Sequence, residues 1–133
     1  GENIIPNITK SSEVIANVLP FIEGKIASSS MTVPIPDGST VDLTIDIKNE
    51  SSIEDINRII ENASKSELKN IIGLTYDPIV SSDVVRSTLS GLVDGLATMV
   101  IKNKKIKLII WFDNGWGYAA RIVDTVKKLG QVF

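Results

Sequence analysis

An α+β fold, a mostly antiparallel sheet with helices packed on one face, is predicted by three features of this 133-residue sequence. Residues 41–48 alternate apolar and polar side chains, the period of a strand with one wet face. Residues 107–111 form the most continuous apolar run, as expected of a central strand covered on both faces. Three further segments repeat apolar residues at helical spacing.

Taken in order, Val14, Ile15, Val18 and Leu19 mark a short helix behind the potential caps Thr9, Ser11 and Ser12, and Pro20 closes it. Ile26 to Val33 reads as a strand. Pro36-Asp37-Gly38 is a tight turn, and the alternating Val41, Leu43, Ile45 and Ile47 complete an antiparallel hairpin. Ser51 followed by Glu54 has the form of a capping box, ahead of an apolar stripe of Ile53, Ile56, Ile59 and Ile60 running to about Ser64. Asn70 to Thr75 is a short strand broken by Asp77-Pro78, and the β-branched Ile79 to Val85 is expected to be extended. Val93, Leu96, Ala97 and Val100 have helical spacing, which leaves helix and strand both open for 92–101. A last helix is expected from about Gly117 to Leu129, with Ala120, Val123 and Val126 inward and Lys127 and Lys128 at its negative end.

Composition narrows the chemistry. The length suits one domain, and 43% hydrophobic with 23% charged residues is ordinary for a globular chain. A net charge of -2 with dispersed lysines provides no basic stripe for a phosphate backbone, so nucleic acid is not an expected partner. With no cysteine and no histidine, the chain cannot run Ser-His or Cys-His chemistry and is a poor zinc binder. The absence of cysteine also fits a cytoplasmic location. No apolar run approaches the ~20 residues of a membrane helix, so no membrane association is expected. A start at Gly1 rather than Met suggests an excised domain, a proteolytic product or a recombinant chain with its tag removed.

The most informative stretch is Trp111-Phe112-Asp113-Asn114-Gly115-Trp116-Gly117-Tyr118, leading into Arg121-Ile122-Val123-Asp124, where a strand ends in a polar turn that launches a helix. It closely resembles the C-terminal signature of the phosphorylating glyceraldehyde-3-phosphate dehydrogenase family, Trp-Tyr-Asp-Asn-Glu-Trp/Phe-Gly-Tyr followed by Ser-x-Arg-Val-Val-Asp. Further blocks resemble the family in the same order: Asn3-Ile4-Ile5-Pro6, Val33-Pro34 with Pro36, Thr40 to Thr44, Ile72-Gly73 and Val80 to Asp83. The resemblance implies that residues 1–133 are the C-terminal part of a catalytic domain, without its nucleotide-binding domain and its catalytic cysteine and histidine. It also implies a strand near Ala97 to Ile101, paired through Asn103 with Lys105 to Phe112.

The family's cysteine attacks the aldehyde, histidine acts as base, hydride passes to NAD and phosphate releases the acyl product. The expected partners are therefore a nucleotide-binding domain and further copies of the chain, associating through the sheet face. The chain alone is expected to be inactive. The resemblance extends equally to enzymes that act on glyceraldehyde phosphate and on erythrose phosphate.

By resemblance, Asn114 is the residue that hydrogen-bonds the nicotinamide carboxamide, which its side chain can match as both donor and acceptor. The residues alone leave a second reading open, in which Asn114 only suits the turn. Thr9 keeps a family phosphate-site hydroxyl, whereas Lys10 replaces a glycine and either attracts phosphate as a point charge or faces solvent. Thr32 stands where the family has the arginine of Arg-Val-Pro, and the change deletes a bidentate phosphate clamp. Gly115 replaces the usual glutamate. These three departures favour an alternative reading, a catalytically silent relative or a folded interaction module. Carboxylates spaced as Asp42/Asp46, Glu54/Asp55 and Asp83/Asp94 read as solvated surface, and Ser81-Ser82-Asp83 as a strand-end hydrogen-bonding device.

Overall fold

The computed structural model describes residues 1–131, which divide into two compact units, Gly1–Pro36 and the remainder from Asp37. In the first unit, strand β1 (Ile5–Asn7) pairs antiparallel with β2 (Ser30–Thr32), and helix α1 (Ser11–Val18) lies between them in sequence. Pro20 stops α1 and opens a single 3-10 turn over Pro20–Ile22.

The second unit holds a mixed sheet. Strands β3 (Ser39–Asp46), β7 (Lys105–Phe112), β5 (Gly91–Asp94) and β4 (Ile72–Thr75) lie side by side in that order, and β6 (Met99–Ile101) also pairs with β7. All these pairings are antiparallel except β4 with β5. Helix α2 (Ile53–Lys65) and helix α3 (Asn114–Leu129) complete the unit.

The α+β class predicted from the sequence is the one observed, and β7 is the internal strand that its apolar run implied. Ile56 of α2 packs into a core with Val93, Ile106 and Leu108, flanked by Leu43, Ile45, Ile60 and Ile110. Register places Leu43 opposite Leu108 and Ile45 opposite Ile106, so alternation in β3 and β7 loads one sheet face with apolar side chains. The other face carries Lys105–Asp46 and Lys107–Asp42 ion pairs beside the exposed Met99 and Ile101.

Several local expectations are corrected. Residues 26–33 do not form a hairpin with 41–47: β2 pairs with β1, and β3 takes β7 as its partner. Gly38, at φ +89°, turns the chain so closely against the Ser81 carbonyl that a Cβ there would lie 2.2 Å from its oxygen. The capping box lies one residue later than predicted. Ser52 and Asp55 exchange side-chain and backbone hydrogen bonds at the start of α2, and Ile59 points to solvent. Ser81–Val84 is a 3-10 turn, because the Asp83 carboxylate accepts the Val80 amide at 2.7 Å and curls the segment.

Residues 92–101 resolve as two short strands, β5 and β6, both lying along β7. Between them, Asp94 accepts the amides of Leu96 and Ala97, and buried Asn57 bridges the Gly95 carbonyl and the Thr98 hydroxyl. A polar knot thus interrupts the β-spacing, which is why the apolar residues there mimic a helix. In α3 the predicted inward face is open, with Val123 and Val126 exposed. Helical periodicity identifies an apolar stripe but not whether anything covers it.

Candidate functional site

Strand β7 delivers the chain to Asp113, which caps α3. Its carboxylate is 2% exposed and has three backbone partners: Oδ1 accepts the amides of Gly115 at 2.9 Å and Trp116 at 2.8 Å, and Oδ2 accepts that of Arg86 at 2.7 Å. The bonds from Trp116 and Arg86, joined by that from Gly115, outweigh burial and hold the carboxyl below the usual carboxylate range. Arg86 has a left-handed backbone, φ 66°, a conformation costly for a residue with a side chain, and the Asp113 bond is one of the contacts that fix it.

Asn114 is the first residue of α3 and is exposed. Its position is thus set by its buried neighbour rather than by packing of its own side chain. Gly117, buried one turn along, brings α3 against the Leu89 backbone, where a Cβ would lie 2.8 Å from the carbonyl oxygen. Arg121 adds a second anchor, donating to the Ser90 hydroxyl at 3.1 Å and to the Asn70 carbonyl at 3.3 Å. Gly115 is under no such constraint, since a Cβ there meets only Asp113 Oδ1 at 3.5 Å.

In the first unit, Thr9 and Lys10 precede α1 directly, and Lys10 occupies the cap position without a side-chain capping bond. Thr9 Oγ1 accepts the Ser11 amide at 3.2 Å and lies 2.7 Å from the Ser11 hydroxyl. With Val14 and Ile15 these residues line a shallow depression of about 430 Å³. Thr32 is exposed on β2 opposite Ile5, and its hydroxyl accepts the side-chain amide of Asn7 at 2.6 Å.

Sequence reasoning missed Asp113 as the organiser of this site, although an aspartate directly before a helix is a readable capping signal. It missed Arg86 for a better reason, since nothing in Val84-Val85-Arg86 announces a left-handed turn.

The family described as "Glyceraldehyde 3-phosphate dehydrogenase, C-terminal domain" matches residues 1–114. A glyceraldehyde-3-phosphate dehydrogenase of Borreliella burgdorferi is 46% identical over 96% of this chain and 38% of its own length. That of Geobacillus stearothermophilus is 41% identical over 93% of the chain and 37% of its own length. Glyceraldehyde-3-phosphate dehydrogenase 2 of Bacillus subtilis is 36% identical over 97% and 38%. The chain thus spans less than two fifths of each of these relatives. On the family match and these identities, the chain belongs to the glyceraldehyde 3-phosphate dehydrogenase C-terminal domain family.

Proposed function

We propose that this chain is the cofactor-positioning and phosphate-binding part of an NAD-dependent phosphorylating aldehyde dehydrogenase that acts on a sugar phosphate, and is inactive alone. The observation that carries the proposal is the buried Asp113 clamp, which fixes exposed Asn114 at the head of α3. NAD, when bound, supplies the hydride acceptor. The Asn114 carboxamide suits the nicotinamide carboxamide because it donates and accepts at once. Thr9 offers a hydroxyl to phosphate, and exposed Lys10 offers a positive charge beside it. The reactive cysteine and histidine come from another part of the enzyme, since the chain has neither.

Partners in this reading are a nucleotide-binding domain and further copies of the chain. Exposed Met99 and Ile101, on the sheet face away from α2, favour self-association through that face.

A second reading, a silent relative with weakened substrate binding, is favoured by the Thr32 hydroxyl being held by Asn7. One chimera separates the two. The part of the Borreliella burgdorferi glyceraldehyde-3-phosphate dehydrogenase outside the region this chain matches is joined to this chain, and NADH formation is followed with glyceraldehyde 3-phosphate and phosphate. Turnover that falls on Asn114→Ala supports the first reading. A folded, NAD-binding chimera without turnover supports the second.

A further inference from the structure

We propose that Asn114–Gly115 is a latent self-modification site, a succinimide-forming junction that the Asp113 carboxylate holds closed in the folded chain. The reaction needs no co-reactant beyond water. The Gly115 backbone nitrogen loses its proton and attacks Asn114 Cγ, the Cγ–Nδ2 bond breaks, and ammonia leaves. Water then opens the ring at either carbonyl to give aspartate or isoaspartate. Asn-Gly is the dipeptide best suited to this step, because glycine has no Cβ to hinder ring closure. Here it sits exposed at the protein surface.

Two features of the site oppose the reaction. The Gly115 amide donates to Asp113 Oδ1 at 2.9 Å, and a fixed negative charge at that distance disfavours the deprotonated amide. Asn114 is also the first residue of α3, and helical ψ directs the Gly115 nitrogen away from its own Cγ. Both protections depend on one side chain, because Asp113 also holds the Trp116 amide and so sets the first turn. Release of Asp113 frees the nitrogen and the backbone rotation together. The product places a negative charge at residue 114, and the isoaspartyl form adds a methylene to the main chain at the head of α3.

The test is peptide mapping by mass spectrometry, with isoaspartate methyltransferase labelling, of the whole chain held in mildly alkaline buffer. The Asn114 peptide is expected to exchange NH2 for OH at least about tenfold more slowly in the native chain than in urea, the factor that one charge-assisted hydrogen bond supplies. Asp113→Ser keeps a capping hydroxyl but has too few acceptors for all three amides, and should raise the native rate toward the unfolded one. Gly115→Ala should suppress the reaction in urea. Equal native and unfolded rates, or a folded Asp113→Ser chain that reacts no faster than the parent, would overturn the proposal. Should Asp113→Ser fail to fold, hydrogen exchange of the native chain decides: a protected Gly115 amide supports the proposal, and free exchange sinks it.

Discussion

Asp113 Oδ2 accepts the amide of Arg86 at 2.7 Å across 27 residues, so the cap of α3 also fixes a left-handed turn on a separate loop. Cap and loop therefore form one unit. Asp113→Ala is expected to lower the melting temperature and to raise hydrogen exchange at Arg86, Gly115 and Trp116 together, and exchange confined to α3 would show that the units are separate.

The same carboxylate gives stability a definite sign against pH. Its folded pKa is depressed, so its contribution is complete above the unfolded value of about 4 and fades as pH falls through the lower folded value. In urea titrations, the stability gap between the parent and Asp113→Ala should be constant near neutrality and narrow below about pH 4. A gap that widens there would contradict the assignment.

Two glycines of α3 should respond in opposite directions to alanine. Gly115→Ala makes only an ordinary contact with Asp113 Oδ1 at 3.5 Å and should gain about 0.5–1 kcal/mol, the usual helical benefit. Gly117→Ala drives a methyl to 2.8 Å from the Leu89 carbonyl and should lose about 1–3 kcal/mol, as overpacked sites do. Chemical denaturation of both variants reads the pair.

The polar knot between β5 and β6 depends on Asn57, which is 4% exposed. Asn57→Ala leaves the Gly95 carbonyl without this partner, at about 1–3 kcal/mol, and leaves the Thr98 hydroxyl only its longer 3.3 Å bond to the Asp94 carbonyl. Urea unfolding should show the loss, and Asn57→Ala with Thr98→Val should recover part of it.

In the chimera described above, Thr32→Arg is expected to lower the KM for the sugar phosphate by about tenfold or more, the worth of a charge-assisted hydrogen bond. An unchanged KM would mean that Thr32 lies away from the substrate phosphate.

Much of the architecture was legible because it rests on periodicity. The alternation of Leu43 and Ile45 and the apolar run ending at Trp111 report burial directly, and β3 and β7 pair through them. Partner choice was less legible. Residues 26–33 have strand composition, but pairing is decided by which edge is available, and β1 provides it for Ser30–Thr32. The 3-10 turn at Ser81–Val84 escaped because one carboxylate contact overrides β-propensity there. Asn114 in the second unit, and Thr9 and Lys10 in the first, are candidates through motif resemblance. The Asp113–Arg86 link was not legible, since contacts distant in sequence leave no local pattern.

The pairing of β3 with β7 also governs how the chain is made. Asp46 meets Lys105 across 59 residues, so during synthesis β3 waits on the order of seconds before its partner strand leaves the ribosome. Throughout that delay its backbone edge is bare. Asp42 and Asp46, which later pair with lysines of β7, are by then already in place as charged guards against premature association of nascent chains.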